Sequence, residues 1–414
     1  MKFGRHLATA AFATLLVLFS ATVFAQDNWP RFRGLNGVGT SDQKGFPTKW
    51  TADDYAWNIK LPGKGHSSPV IWGDNVFLTS AVPSGENSER LVLCLDADSG
   101  ATKWKRNVGL AASHLHKKNS WASGSPATDG QMLFVAFADT QQHKLVAFDF
   151  NGKSVWTCDL GEFQSQHGQG SSPIVVDDLV ILPNDQMGPS EIVAVHKATG
   201  EIAWRTERAI RKTSYATPMI FDGKSGRQLI CVSGANGICG LDIRTGEMKW
   251  QTEAFPMRTV ASPILAGGLV FASCGSGGQG KLMFGVDPEA DKSSDRVRIR
   301  RQRTLPYVPT PIEHDGRLYL WTDRGVVVCL NANDGSEVWA GRVRGNFSGS
   351  PICIDGKLYC MSEAGDVVVL EAGMKFNLLG RTSLGGASYA TPAVAGGRLY
   401  LRTFDRLMCL AAKK

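Results

Sequence analysis

The chain has 414 residues, of which 43% are hydrophobic and 20% charged, and this composition excludes a largely disordered protein. The formal net charge of +7 is a mild excess for this length and does not by itself indicate a nucleic-acid-binding protein, and none is expected as a partner. The 46 glycines and 11 tryptophans favour many tight turns around an all-β core.

Residues 1–25 have the pattern of an export signal. A short basic start is followed by an apolar run from Leu7 to Phe24, and Ala25 ends a stretch of the small residues that a signal peptidase prefers. An uncleaved membrane anchor is the alternative, because the run is near the lower limit for crossing a bilayer. We predict cleavage, an exported protein located in the periplasm or outside the cell, and no stable membrane insertion of the mature chain.

Residues 26–46 come next and precede the repeats described below. They contain the sequence Trp29-Pro30-Arg31-Phe32-Arg33 and do not share the pattern of the later units. We predict that they form an N-terminal extension, which lies outside the repeated domain of residues 47–414 and packs over it.

A Ser-Pro or Thr-Pro pair followed by an apolar residue recurs eight times in the rest of the chain. The prolines are Pro69, Pro126, Pro173, Pro218, Pro263, Pro311, Pro351 and Pro392. Their spacing of 40 to 57 residues is the length of one four-stranded blade of a β-propeller. Eight landmarks therefore predict eight blades.

The same order of strands and turns follows each proline. A short apolar strand leads to a tight turn, such as Asp315-Gly316 or Asp355-Gly356, and then to a second apolar strand. An Asp-Gly pair between apolar runs is a strong hairpin signal, because glycine tolerates a positive φ. A third strand ends in a turn and a tryptophan, as in Leu95 to Trp104. The fold class predicted is all-β, an eight-bladed propeller of four-stranded antiparallel blades.

The tryptophans support the count of eight independently. Successive members of the series Trp57, Trp104, Trp156, Trp204 and Trp250 are 46 to 52 residues apart, and Trp339 follows after 89 residues, which is two periods. One blade has therefore lost its tryptophan, near Arg298–Arg300. In the seventh unit Leu379 stands in the same place.

The two ends of the repeated region complement each other. The last unit, from Thr391 to Leu410, stops before its fourth strand, while Tyr55 to Leu61 precedes the first proline landmark. We predict that the N-terminal segment completes the last blade. Such a closure leaves no open sheet edge at the junction of the chain ends.

The turn before each tryptophan resembles the tryptophan-docking motif of PQQ-type propellers. Leu241 to Trp250 has the full pattern Leu-Asp-x-x-Thr-Gly-x-x-x-Trp. The resemblance covers about residues 47 to 411 and implies that the rings interlock through indoles wedged between blades. The expected docking residues are Trp57, Trp104, Trp156, Trp204, Trp250 and Trp339. No Trp-Asp pair and no recurring Gly-Gly pair supports the WD40 or kelch subclasses.

Nine cysteines follow the signal, and none belongs to a Cys-x-x-Cys or Cys-Cys pair, so zinc, c-type haem and adjacent-cysteine disulfides have no support. Cys94, Cys329 and Cys409 occupy one position of the repeat and are expected to be small core residues. Cys231 and Cys239 face each other across a predicted hairpin, but we expect no bond between them.

Candidate binding residues concentrate on one face of the predicted disc, where the loops before each first strand meet the loops between second and third strands. The candidates are His66, His114, His116, Lys117, Asn119, His167, Asp185, Gln186, Arg258, Asp323 and Arg324. They either form a polar pocket for a ligand or are loop residues satisfied by backbone and water. A metal site is not expected, since His-x-His lacks a third ligand at fixed spacing. Tyr215 and Tyr389, both in Ser-Tyr-Ala-Thr-Pro, are interpreted as structural repeats.

Three functions remain open at this level. The leading one is a non-catalytic exported scaffold, monomeric and without a cofactor, which binds a protein partner of the cell envelope or a small ligand. It resembles the BamB-type outer-membrane assembly factors, but it lacks their lipidated cysteine directly after the signal, since its first cysteine is Cys94. That absence puts membrane anchoring in doubt.

The other two functions are enzymatic or carbohydrate-directed. A quinoprotein dehydrogenase is implied by the same family resemblance, with PQQ and calcium as cofactors, but the adjacent cysteines of those enzymes are absent. A carbohydrate-binding or polysaccharide-processing propeller needs aromatic and carboxylate residues at the channel mouth, for which Trp121, Tyr307, Asp185 and Glu363 are the candidates.

Overall fold

A computed structural model describes residues 28–209 and 212–413. The predicted export signal of residues 1–25 lies outside the described residues. Within the described ranges, no helix has the length and apolar character required to cross a membrane.

Eight four-stranded antiparallel sheets form the ring, as the repeats predicted. Blade 1 consists of Val70–Trp72, Asn75–Ser84, Asn87–Asp96 and Thr102–Ala111; blade 2 of Ala127–Thr128, Met132–Ala138, His143–Asp149 and Ser154–Asp159; blade 3 of Ile174–Val176, Leu179–Asn184, Ser190–His196 and Ile202–Arg208; and blade 4 of Met219–Gly223, Gly226–Ser233, Gly237–Asp242 and Met248–Gln251.

The second half of the ring repeats this arrangement. Blade 5 consists of Ile264–Ala266, Leu269–Ser276, Gln279–Val286 and Val297–Arg301; blade 6 of Ile312–His314, Arg317–Trp321, Val326–Asn331 and Glu337–Arg342; blade 7 of Ile352–Ile354, Lys357–Met361, Asp366–Glu371 and Leu378–Ser383; and blade 8 of Ala393–Ala395, Arg398–Arg402, Arg406–Ala411 and Tyr55–Lys60. The other described elements are the short strand Thr40–Ser41 and helical turns at Leu35–Gly37, Ala52–Asp54 and Ser293–Arg296.

The two ends of the repeated region meet in blade 8, which confirms the predicted closure. Tyr55–Lys60 pairs antiparallel with Arg406–Ala411, so the beginning of the propeller supplies the outer strand of its last blade. In the predicted Asp-Gly hairpins, Asp355 and Gly356 both have positive φ values, 48° and 67°, as a two-residue turn of this type requires.

A belt of hydrogen bonds around the channel explains why Ser or Thr precedes each landmark proline. In seven of the eight blades this residue donates its backbone N–H to the side-chain hydroxyl of its counterpart in the next blade. The pairs, at 2.9–3.1 Å, are Ser68 to Ser125, Ser125 to Ser172, Thr217 to Ser262, Ser262 to Thr310, Thr310 to Ser350, Ser350 to Thr391 and Thr391 to Ser68. The last pair crosses the junction between blades 8 and 1.

We expect Ser68→Ala to lower the free energy of unfolding by about 1–3 kcal/mol, because it leaves the buried N–H of Thr391 without an acceptor. Urea denaturation followed by tryptophan fluorescence measures the change. Ser294→Ala removes an exposed hydroxyl and is the control, with an expected effect within about 0.5 kcal/mol. Equal effects of the two substitutions would contradict a stabilising belt.

Indole side chains connect neighbouring blades on the outer side of the ring. Each of five tryptophans donates its Nε1–H to a backbone carbonyl in the third-to-fourth-strand turn of the next blade. These bonds are Trp57 to Ala97 (3.0 Å), Trp104 to Phe150 (2.7 Å), Trp156 to Lys197 (2.8 Å), Trp204 to Ile243 (3.0 Å) and Trp339 to Gly373 (2.9 Å). A glycine lies against the ring in the first junction: Gly100 has φ 72°, and a Cβ there would be 2.8 Å from Trp57.

The junction between blades 4 and 5 is built differently. Trp250 donates to Gln228 Oε1 of its own blade at 2.6 Å, and the guanidinium of Arg296 lies over its ring at 4.4 Å. The turn of blade 5 is expanded by the helical turn Ser293–Arg296, so it offers a cation in place of a carbonyl. In blade 5 itself Ile299 occupies the tryptophan position and contacts Gly335 of blade 6.

The hydrophobic core is divided among the interfaces between successive blades. Ile181 of blade 3 and Leu229 of blade 4, for example, belong to one buried cluster. All nine cysteines are buried in the blades as free thiols. Cys231 and Cys239 are directly opposite each other in adjacent strands, as predicted, and are not bonded.

Residues 28–41 cross the central channel, and we call this segment the plug. The backbone of Trp29 pairs with Ile71 of blade 1, the Asn36 amide bonds both backbone groups of Ile220 in blade 4, and Thr40–Ser41 adds a parallel strand beside Ile352–Ile354 of blade 7. The plug therefore contacts innermost strands on several sides of the ring.

Two buried arginines hold the plug in the channel. Arg31 and Arg33 donate to the carbonyls of Pro218 in blade 4 and Pro311 in blade 6. Burial lowers the pKa of each guanidinium to about 9. Since both remain charged at pH 7, their contacts with backbone carbonyls offset part of the cost of removing the charge from water.

Candidate functional site

A cavity of about 790 Å³ opens on the channel face, and most of the predicted binding residues line it. We call it the bowl. Its wall is built from the loops before the first strands and from the loops between second and third strands, such as Gly277–Gly278 of blade 5. Phe32 of the plug lines it from below, while Leu35 and Asn36 line a separate cavity of about 400 Å³ at the other end of the channel. Residues of the plug therefore line both cavities.

Positive charge predominates among the described residues that line the bowl. Five cationic and two acidic side chains contribute to its wall, namely Lys117, Lys118, Lys212, Arg258, Arg324, Asp323 and Glu363. The eight hydroxyl residues of the hydrogen-bond belt also line it. Three tyrosines, at positions 215, 307 and 389, provide aromatic surface.

Both carboxylates of the bowl are engaged with protein groups. Asp323 accepts the backbone N–H of Tyr307 at 2.7 Å, and its burial raises the pKa of its carboxyl. Glu363 accepts the Ser348 hydroxyl at 2.7 Å and pairs with Lys118. The Lys118 ammonium also lies 4.9 Å from the ring of Tyr389, so the loop of residues 112–121 reaches from blade 1 across to blades 7 and 8.

A cluster around Arg258 forms one side of the bowl. Its Nη1 donates to Nδ1 of His167 at 3.1 Å, its Nη2 donates to Oε1 of Gln166 at 3.2 Å, and the guanidinium lies 6.0 Å from the ring of Tyr215. The rings of His116 and His167 are 4.2 Å apart. Burial and the charge of Arg258 lower the pKa of His167 to about 4, so its imidazole is neutral at pH 7 and can accept the arginine N–H.

His66 lies on another side of the bowl in an aromatic setting. Its ring is 4.8 Å from those of Tyr389 and Phe404. Burial, followed by the charges of Arg402 and Lys118, lowers the pKa of His66 to about 3. This imidazole too is neutral at physiological pH, and it contributes no positive charge of its own.

Most of the predicted binding residues come together at the bowl. The candidates that line it are His66, His116, Lys117, Asn119, His167, Arg258, Asp323 and Arg324. The Asn119 amide donates to the carbonyls of His167 and Gln169 at 2.7 and 3.1 Å, which ties the blade 1 loop to blade 3. His114 is an exposed neighbour whose charge would act on His116 and His167, but it does not line the cavity.

Asp185 and Gln186 lie elsewhere, in the interior. Arg208 Nε is 3.1 Å from Asp185 Oδ1, and both side chains are almost fully buried. Burial raises the pKa of Asp185 to about 6 against the opposing charge of Arg208. Gln186 accepts the Gln164 N–H at 2.7 Å and donates to the Glu162 carbonyl at 3.0 Å. These residues support the loops of blade 3 from behind.

Comparison with known sequences shows a similarity over part of the chain. The family model described as outer membrane protein assembly factor BamB matches residues 186–304 and 302–374. The outer membrane protein assembly factor BamB of Yersinia pestis is 22% identical over 290 residues, and the match covers 66% of each chain, slightly under two thirds.

Solved structures resemble the whole ring. BamB from Moraxella catarrhalis superimposes with a TM-score of 0.61 at 17% identity, covering 86% of this chain and 99% of that one. A europium-containing methanol dehydrogenase gives 0.72 at 12% identity, covering 93% and 98%. The chain is a PQQ-repeat β-propeller resembling BamB. At these identities the solved structures show the shared fold alone.

Several features of the bowl in this PQQ-repeat propeller were missed by the sequence analysis. Lys118 and Lys212 were not selected as candidates, and Tyr215 and Tyr389 were assigned to structural repeats although both line the cavity. The belt hydroxyls were visible as a repeated Ser or Thr before proline, but only the ring closure places all of them around one axis. Phe32 gave no signal, because the path of the plug is not periodic.

The donor atoms at the bowl do not suit the metal of a quinoprotein dehydrogenase. Calcium takes six to eight oxygen ligands, commonly carboxylates. In this chain, Asp323 accepts backbone N–H groups, and Glu363 pairs with Lys118. Across residues 28–209 and 212–413, no group of three or more His, Cys, Asp or Glu side chains is arranged to hold a metal ion.

Proposed function

We propose that this PQQ-repeat propeller is an exported, non-catalytic binding protein of the cell envelope, monomeric and without a resident cofactor, that uses the bowl to bind a protein partner or a small ligand. The observation that carries the proposal is the composition of the bowl: a cavity lined by cationic, hydroxyl and aromatic side chains, in which both carboxylates are engaged by protein groups. Such a site is equipped to bind rather than to perform acid–base chemistry.

The similarity to outer membrane protein assembly factors supports the envelope location and a role in binding proteins. The rigid ring, closed by backbone pairing and by the hydroxyl belt, suits a scaffold whose loops are held at fixed positions.

The carbohydrate-processing alternative has less support. Trp121 donates its indole N–H to the carbonyl of Ser113 and does not line the bowl, and Asp185 is paired in the interior with Arg208. Of the four residues considered for that activity, Tyr307 and Glu363 lie at the bowl. A pair of available carboxylates, which glycoside hydrolysis usually requires, is not present among its described lining residues.

Binding through the bowl is tested by comparing the wild type with the triple variant His114→Ala/His116→Ala/His167→Ala in quantitative capture from envelope extract. We expect the triple variant to lose the partners that the wild type retains. His196→Ala, at the opposite end of blade 3, is the matched control and should retain them. An unchanged set of partners in the triple variant would refute a binding role for the bowl.

The expectation that the protein performs no quinone chemistry is tested separately with the purified wild type. PQQ and calcium are added together and followed by absorbance and by the thermal unfolding midpoint, with an alcohol and a redox dye present. We expect no quinone spectrum and no dye reduction. Alcohol-dependent reduction of the dye would replace the binding proposal with an oxidoreductase.

A further inference from the structure

The bowl holds more positive charge than its own carboxylates balance. Glu363 pairs with Lys118, and Asp323 is bound by backbone N–H groups. Within residues 28–209 and 212–413, the other cations of the bowl, Lys117, Lys212, Arg258 and Arg324, form no ion pair with a carboxylate. Because like charges converge on one cavity, they raise the local concentration of anions.

Arg258 is the best-positioned of these cations. Neutral acceptors, His167 and Gln166, hold its terminal nitrogens, and Tyr215 lies beside its plane. Its Nε is buried and has no hydrogen-bond partner among the described residues. A guanidinium fixed in this way is preorganised for the oxygens of a carboxylate or phosphate, and it keeps its full charge because no acid neutralises it.

The hydroxyl belt adds donors of a second kind to the same wall. In seven of its eight members the side-chain oxygen already accepts a backbone N–H, and each of the eight lines the bowl. The hydroxyl hydrogen of each remains to be donated, since Ser and Thr carry one O–H donor. An anion that enters the bowl can accept such a hydrogen.

The plug limits the length of the occupant. It crosses the channel between blades 1, 4 and 7, and its Phe32 lines the cavity, so an extended polymer has no open path through the channel. The volume of about 790 Å³ is within the range of small-molecule sites. Size, charge and donors therefore all favour a small anionic molecule.

We propose that the bowl binds a small polyanion through its phosphate or carboxylate groups, with Arg258 as the principal contact and Lys117 and the hydroxyl belt as further donors. This inference rests on the proposed role of the bowl as a binding site and names the chemical class of its ligand. Phosphate and carboxylate share the chemistry that these donors recognise, so both are tested.

Isothermal titration calorimetry of the purified wild type with pyrophosphate and with citrate, at low ionic strength, measures the two affinities. We expect at least one of the anions to bind, and added NaCl to weaken the binding, as screening requires. Arg258→Gln should weaken the binding by about tenfold or more, because it removes a charge-assisted contact. The anion with the higher affinity shows whether the site prefers phosphate or carboxylate groups.

Two further variants separate local from general effects of charge. Lys117→Gln changes an exposed side chain of the bowl, so it tests the proposal even if Arg258→Gln fails to fold, and we expect a several-fold weaker affinity. Lys105→Gln removes the same charge from an exposed position on the outer strand of blade 1 and should leave the affinity unchanged within about twofold.

The proposal is overturned if neither anion binds the wild type at millimolar concentration, if both bowl variants bind as the wild type does, or if an oligoglutamate peptide binds more tightly than both small anions. Failure of this kind leaves partner capture through the bowl unaffected. If the triple variant captures the same partners as the wild type while the small anions still bind the bowl, the scaffold role is rejected and the anion site is kept.

Discussion

Trp57→Ala is expected to lower the free energy of unfolding by about 3–5 kcal/mol, the range for removal of a buried tryptophan. Trp57 is 8% exposed, lies against Gly100 and donates its indole N–H to the carbonyl of Ala97. Because Trp57 belongs to the strand that completes blade 8 while its partners belong to blade 1, the loss acts on the junction of the chain ends. Equilibrium unfolding in guanidinium chloride, followed by far-ultraviolet circular dichroism, measures it.

Trp57→Phe is the matched control for this prediction. It keeps an aromatic ring in the blade interface and removes the indole N–H, so we expect a smaller loss of about 1–2 kcal/mol from the unpaired Ala97 carbonyl. A loss below about 1 kcal/mol for Trp57→Ala would show that docking at this junction contributes little, and that backbone pairing of Tyr55–Lys60 suffices for closure.

Trp29→Ala is expected to have an effect of similar size, about 3–5 kcal/mol, although it lies in the N-terminal segment before the repeats. Trp29 is 3% exposed, its backbone pairs with Ile71, and its ring packs against Gly34 in the core of blades 1, 7 and 8. The reason is that the plug crosses the channel and shares the core of the propeller. Thermal and denaturant unfolding midpoints measure the loss.

Leu35→Ala provides the comparison within the same segment. Leu35 is 63% exposed, so its truncation should change the free energy of unfolding by no more than about 0.5 kcal/mol. If Trp29→Ala were as mild as Leu35→Ala, the plug would be a loosely attached extension, and residues 47–414 would be the unit that determines stability.

The architecture could be predicted because each blade repeats a local requirement. A hydroxyl before proline accepts a neighbouring N–H, and an indole after the third strand reaches the next turn, so both patterns recur once per blade. The exception at Trp250 was not predictable from the motif, since its partner is set by the expanded turn that brings Arg296 over the ring. The docking motif of blade 4 is complete, but the turn of blade 5 that would receive the indole is expanded.

The candidate site was only partly predictable. Loop position alone selected His167 and Arg258, and these do meet at the bowl. It also selected Asp185, which turns inward to Arg208, because a residue at the end of a strand can face either the cavity or the blade interface. Sequence position does not distinguish these two orientations.

By itself, the sequence determined the number of blades, their strand order and the closure by Tyr55–Lys60, because hairpin turns, periodic apolar strands and docking indoles are all local signals. Only the tertiary structure decided that the plug crosses the channel and that Phe32 lines the bowl. Those features depend on contacts between residues far apart in the chain, which form once the ring brings eight blades around one axis and leave no periodic trace in the sequence.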